Sequence, residues 1–263
     1  MTLFRFATVA VFLVRASEAG DFASVRQFIR TQHILEALRE VKIILQDFPQ
    51  DPDVQYQAGQ ILRELGSMRA AQLTEFAPDS GEAHELLGRS FEAKRELDGA
   101  LREYRSALFK NPSVPGIHFL IGSIYWKQRD FQSAKAELES ELRINSTHQL
   151  ARLRLGQTLL ALNEPLLAAG HLRLVIAADT SSIEAHRELA KACRALGRTR
   201  EALTEFGIVA RAMPEDEMIH AQLASVYRAL GDKLNTSAEM DIHRRLLTVR
   251  AEASRKQTTS AAQ

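Results

Sequence analysis

The chain has 263 residues, 34 of them basic and 33 acidic, for a formal net charge of +1. Hydrophobic residues at 45% and charged residues at 25% exclude a disordered chain, and the even charge balance argues against a nucleic-acid surface. A single cysteine, Cys193, rules out an internal disulfide and any Cys-based metal site.

Residues 1–19 differ from the rest. A short positive start precedes the apolar run Phe6 to Val14, and small residues at Ser17 and Ala19 suit a cleavage site. The segment reads as a signal peptide, which implies an exported or periplasmic protein. The alternative is an N-terminal apolar helix on a cytoplasmic protein. The run is too short to span a bilayer, which needs about 20 apolar residues.

From residue 20 to residue 250 the chain reads as a helical array. Its units start near residues 18, 52, 81, 115, 149, 183 and 217, and the first is degenerate. In that unit only a second helix is clear, through Ala37, Val41 and Ile44. The unit at Pro52 runs only 29 residues, which predicts a short second helix over 68–76. Later units keep strict registers. Leu87-Gly88, Ile121-Gly122, Leu155-Gly156 and Leu189-Ala190 recur every 34 residues, as do Ala100, Ala134, Ala168 and Ala202. Tyr104, Leu138, Leu172 and Phe206 form a third register. A fixed period of this length marks a stack of supersecondary units.

Within each unit, apolar or small residues recur at helical spacing, so each reads as two helices packed on one face. The small residue of the first helix lets the second approach closely. Gly66, Asn163, Gly197 and Gly231 suit left-handed caps between them. Pro165 suits a first helical turn, and Asp130 an N-cap. In the last unit Thr236 to Glu239 reads as a capping box, and residues 251–263 read as a frayed tail.

These residues resemble the tetratricopeptide repeat (TPR) pattern. Leu87, Gly88, Phe91, Ala100, Tyr104, Ala107 and Pro112 fill its positions in one unit, and Leu189, Ala190, Cys193, Ala202, Phe206 and Pro214 in another. The resemblance implies an all-α, right-handed α-solenoid of about six antiparallel helix pairs, and a non-catalytic protein–protein interaction scaffold. It also implies a concave groove lined by the first helices. Carried onto this sequence, the groove holds Phe119, Trp126, Lys127, Leu153 and Leu160, followed by a basic wall of Arg187, Lys191, Arg194 and Arg228. The expected partner is a protein or peptide with apolar anchors and acidic flanks. The family's carboxylate clamp for chaperone tails needs Asn on first helices, and all four Asn lie at helix ends or loops here, so that clamp is not expected. The alternative role is the targeting module of a larger enzyme or secretion complex encoded nearby.

No catalytic, cofactor or metal site emerges. His84, His118, His186 and His220 share one repeat position, which spaces them about one helix-packing distance apart, too far to share an ion. His84-Glu85 begins like a zinc-protease motif, but Gly88 stands where the second His ligand belongs. Cys193 falls at a core position and reads as an inert thiol.

Overall fold

The computed structural model describes residues 22–260. The N-terminal segment, with its signal-peptide reading, lies outside the described residues. These form thirteen helices and no strand. They divide into two compact units, up to Leu86 and from Leu87 onwards.

The first unit holds α1 (Ala23–Arg30), α2 (Ile34–Asp47), α3 (Pro52–Phe76) and the start of α4 (Gly81–Ala93). Its core is built from Phe22, Val25 and Ile29, the α2 stripe Ile34, Ala37, Val41 and Ile44, and Val54, Ala58, Ile61 and Leu65. α3 starts sharply, because Asp51 accepts from the amides of Asp53 and Val54 and Pro52 occupies the first turn. The short second helix expected over 68–76 is absent as a separate element, since α3 runs unbroken through it. Gly66 keeps a negative φ, and a Cβ there would meet nothing within 4 Å, so no neighbour forces a turn. A lone glycine in a helix costs about 1 kcal/mol, too little to end it.

The second unit continues α4 and adds α5 (Leu97–Lys110), α6 (Ile117–Lys127), α7 (Phe131–Ile144), α8 (Gln149–Ala161), α9 (Pro165–Ala178), α10 (Ile183–Ala195), α11 (Thr199–Ala212), α12 (Glu217–Ala229) and α13 (Lys233–Ser260). They stack as antiparallel pairs in an α-solenoid. Its core runs through Leu138, Leu155, Leu172, Leu189, Phe206 and Leu223. Close approach within each pair depends on the small residue of the first helix. A Cβ on Gly88 would lie 2.5 Å from the Tyr104 ring, one on Gly122 3.0 Å from Leu138 Cγ, and one on Gly156 2.8 Å from Leu172.

The turn inside each pair is the same device repeated. Arg95, Arg129, Asn163, Gly197 and Gly231, each 34 residues from the next, adopt positive φ. The next residue's amide then donates back five residues, as Asp130 N does to Tyr125 O at 2.9 Å. This is a Schellman cap. Asp130 caps α7 through Ser133 N, and Pro165 opens α9.

Two details differ at the C-terminus. Asp232, not Thr236, accepts from an amide at the start of α13, and Thr236 Oγ1 donates to the Asp232 carbonyl inside the helix. No capping box forms, because the helix starts a turn earlier. α13 also continues to Ser260, past the point where a frayed tail was expected. Residues 251–260 hold no Pro or Gly and several strong helix formers, so nothing stops the helix.

Candidate interaction surface

The side chains carried over from the family pattern lie on α6, α8, α10 and α12, whose neighbouring faces are cross-linked. Lys127 Nζ donates to Glu92 Oε1 of α4 at 2.7 Å. Gln157 Nε2 of α8 donates to Glu184 Oε1 of α10 at 3.0 Å. Arg187 pairs with Asp216 at the head of α12, 2.7 Å away, and Arg194 bonds Gln222 of α12. Successive first helices therefore present one contiguous face.

Its middle is apolar. α6 and α8 carry apolar residues around most of their circumference, where a surface helix would carry one stripe. On α8, Ala151, Leu155 and Leu159 enter the core while Leu150 stays 63% exposed and Leu153 and Leu160 half-buried. Phe119 of α6 is half-buried and stacks at a tilt on His148, ring centroids 4.8 Å apart. Trp126 is half-buried beneath Arg154 of α8, whose guanidinium carbon lies 4.5 Å from the ring centroid. Burial lowers the Arg154 pKa, with Glu184 acting the other way.

A buried carboxylate fixes this region. Glu141 of α7 is fully buried, and its oxygens accept from Gly116 N at 2.9 Å and Phe119 N at 3.4 Å. His148 Nδ1, just ahead of α8, sits 2.8 Å from the same carboxylate. One anion thus caps α6, where Gly116 at φ 96° offers no side-chain cap, and ties it to the start of α8. The repeat pattern gives no hint of it, because the equivalent positions hold Ala107, Val175 and Val209.

The basic wall carries less free charge than its residue types suggest. Lys127 and Arg187 are paired as above, and Lys191 reaches Glu188 on its own helix at 2.7 Å. Burial raises the Glu188 pKa, and Lys191 opposes that. Arg228 lies at the far end, on a pocket shared with Lys233 and Arg244. Arg154, absent from the carried-over set, sits beside Leu153 and faces Trp126. Its position next to an expected groove residue was the available signal.

Three of the repeated histidines meet carboxylates. His118 meets Glu137 at 2.6 Å, His186 meets Glu205 at 2.5 Å and His220 meets Glu239 at 2.7 Å. Each pair links a first helix to its second helix, and the glutamates keep the 34-residue spacing. Among the described residues no three His, Cys, Asp or Glu could hold a metal, and no helix is long and apolar enough to cross a membrane. Cys193 is fully buried, and burial with the nearby Glu201 raises its thiol pKa.

One other apolar face is exposed. On the outward side of α9, Leu166, Leu167 and Leu174 are 61%, 54% and 54% exposed. The residues in register with Leu166 on α7 and α11 are Gln132 and Arg200.

Comparison with known proteins agrees with this architecture. Residues 69–115 and 119–183 match the family model for the tetratricopeptide repeat. No curated protein matches the chain. Among solved structures, YrrB, a TPR protein described as having an unusual peptide-binding site, superposes with a TM-score of 0.64 at 19% identity, over 72% of this chain and 97% of its own. MamA from Desulfovibrio magneticus RS-1 gives 0.60 at 17% identity, over 65% and 96%. A tetratricopeptide repeat protein from Parabacteroides merdae gives 0.51 at 19%, over 84% and 76%. At these identities the likeness is one of fold.

Proposed function

We propose that this chain, a tetratricopeptide repeat protein, is a non-catalytic scaffold that holds a peptide, helix or partner domain on the contiguous face of its first helices. The observation that carries this reading is the apolar centre of that face. Phe119, Trp126, Leu150, Leu153 and Leu160 cluster on α6 and α8, where a solvated helix face would be polar. Their surroundings are pre-organised by Glu141 and by the side-chain links between helices, so a partner meets an ordered surface and loses less free energy to ordering. The TPR fold supports the class of function, and YrrB offers a peptide-binding precedent within it.

The test is affinity purification with mass spectrometry, comparing wild type with a Trp126→Ala/Leu153→Glu variant whose helicity is verified by circular dichroism. A partner captured by the wild type and lost by the variant supports the groove. A partner that survives this variant and is lost from Leu166→Lys/Leu174→Lys moves the binding surface to the outward side of α9. Equal capture by all three proteins refutes both surfaces.

A further inference from the structure

Among the groove cations Arg154 is set apart by being half-buried without a carboxylate partner, whereas Arg194 and Arg228, which also pair with no carboxylate among the described residues, are exposed. Lys127, Arg187 and Lys191 each have a carboxylate at 2.7 Å. Arg154 has none within ion-pairing distance among the described residues. Its Nη1 donates to Gln157 Oε1 at 3.1 Å, and Gln157 in turn donates to Glu184. That carboxylate also faces Arg187 at 3.8 Å. Arg154 is half-buried against an indole face, where a cation loses hydration without gaining a counter-ion. A ligand seated against this guanidinium has to bring acceptors and one negative charge, and a carboxylate brings both.

We propose that Arg154, held over Trp126, is the receptor for an aspartate or glutamate side chain that sits between apolar residues of the bound segment. This assignment rests on the groove reading and sharpens it: acid recognition is placed at the apolar centre, because Arg187 and Lys191 of the wall are already paired with carboxylates and Arg194 and Arg228 stand in solvent, while Arg154 is half-buried. A single guanidinium matches a single carboxylate. A phosphate, with close to two charges, would need a second free cation beside it, and the neighbouring ones are paired. The lined face continues on both sides, through Phe119 and Trp126 on α6 and Glu184 and Arg187 on α10. A bound chain therefore crosses Arg154 instead of ending there, which favours a side chain over a terminal carboxylate.

Two randomised phage-displayed dodecapeptide libraries test the assignment, one fused through its C-termini and one displaying free C-termini. Each is selected on the wild type. The first should yield sequences with Asp or Glu flanked by Leu, Phe or Ile. One selected sequence is then made as an acetylated, amidated peptide in Glu and Gln forms. Binding is read by isothermal titration calorimetry, which also serves for a variant that lacks Trp126, the only tryptophan of the chain. The Glu form should bind about tenfold tighter than the Gln form, the size of a charge-assisted hydrogen bond. Arg154→Gln should abolish that ratio while keeping the affinity for the Gln form, and Arg154→Lys should restore part of it, which a purely structural role would not do. Equal binding of Glu and Gln forms to the wild type, a ratio that survives Arg154→Gln, or enrichment only from the free-terminus library overturns the assignment, as does failure to select any peptide. If the two forms bind equally yet both are lost in Trp126→Ala/Leu153→Glu, the Arg154 assignment falls and the groove stands. If that variant binds both as the wild type does, the groove falls as well.

Discussion

Gly88→Ala should destabilise the second unit although it adds one methyl group to a helix and replaces a poor helix former with the best one. In an open helix interior the exchange gains about 1 kcal/mol. Here the new Cβ would lie 2.5 Å from Cδ1 and Cε1 of Tyr104 and 3.1 Å from Cζ, where ordinary contact begins at 3.4 Å. The ring, or α5 with it, must retreat by nearly 1 Å. Tyr104 is fully buried and its hydroxyl is anchored on Glu92 Oε2 at 3.1 Å, so the ring has little room to move. Overpacking of this kind costs about 1–3 kcal/mol, and a rigid, enclosed ring belongs at the upper end. The net expectation is a loss of about 2 kcal/mol. The assay is urea denaturation followed by circular dichroism, with hydrogen exchange locating the loss in α4 and α5, since repeat arrays open unit by unit. Gly170→Ala on α9 is the control: nothing lies within 4 Å of its added Cβ, and it should gain about 0.5–1 kcal/mol. If Gly88→Ala behaves like Gly170→Ala, close helix approach is not what the small-residue register provides.

Glu141→Ala should cost about 3 kcal/mol, because it removes the charged acceptor of α6 and strands the amides and His148 that it binds; urea midpoints measure this, and a loss under about 1 kcal/mol would contradict the capping role. Arg129→Gly should stabilise by about 1 kcal/mol, since an exposed non-glycine residue at φ 63° pays for its left-handed conformation. Burial pushes the Asp216 carboxyl up, but the Arg187 guanidinium and the Met218 and Ile219 amides outweigh it and hold the pKa below its usual value. Stability from this group is present above the unfolded pKa of about 3.9 and is lost as pH falls through the lower folded value. Asp216→Asn should therefore lose less stability than wild type on acidification below about pH 4, and identical losses would refute the linkage. Cys193 should resist thiol reagents in the native protein and react at the free-thiol rate once unfolded in urea.

How much of this could be read from the sequence depended on whether a feature repeats. The Leu-Gly steps, the Ala register and the bulky register each describe one contact between paired helices, made several times over, so a single chain supplies several samples of it. The left-handed turns recur equally strictly, yet only Asn163, Gly197 and Gly231 advertise them. Arg95 and Arg129 do the same work with side chains that give no such signal, because the surrounding Schellman bonds outweigh the local strain. At Gly66 the inference ran the other way. Glycine permits a turn, but a turn forms only where a packed neighbour rewards it, and none lies near that position. The histidines share a register that the sequence shows, while their glutamate partners lie 19 residues on, on the following helix, and only the packed structure brings the two together.

The surface proposed to bind a partner lies where the chain departs from its period. Trp126 occurs once, Glu141 replaces the aliphatic or small residues of its register, and Arg154 corresponds to Leu120, Glu188 and Gln222 in the adjoining first helices. These three departures fall in neighbouring helices and act on one another: Glu141 fixes the heads of α6 and α8, and that alignment brings the Arg154 guanidinium over the Trp126 ring. A repeat array builds most of its core from what the units share, as the Leu, Ala and bulky registers do here. A unit-specific buried acid that positions a unit-specific cation–aromatic pair needs another explanation, and binding supplies one. The consequence is measurable at a distance from the groove. Glu141→Gln keeps the volume of the side chain but weakens its grip on His148, so it should lower affinity for any groove peptide more than it lowers helicity. If affinity and helicity fall together, Glu141 serves the fold alone.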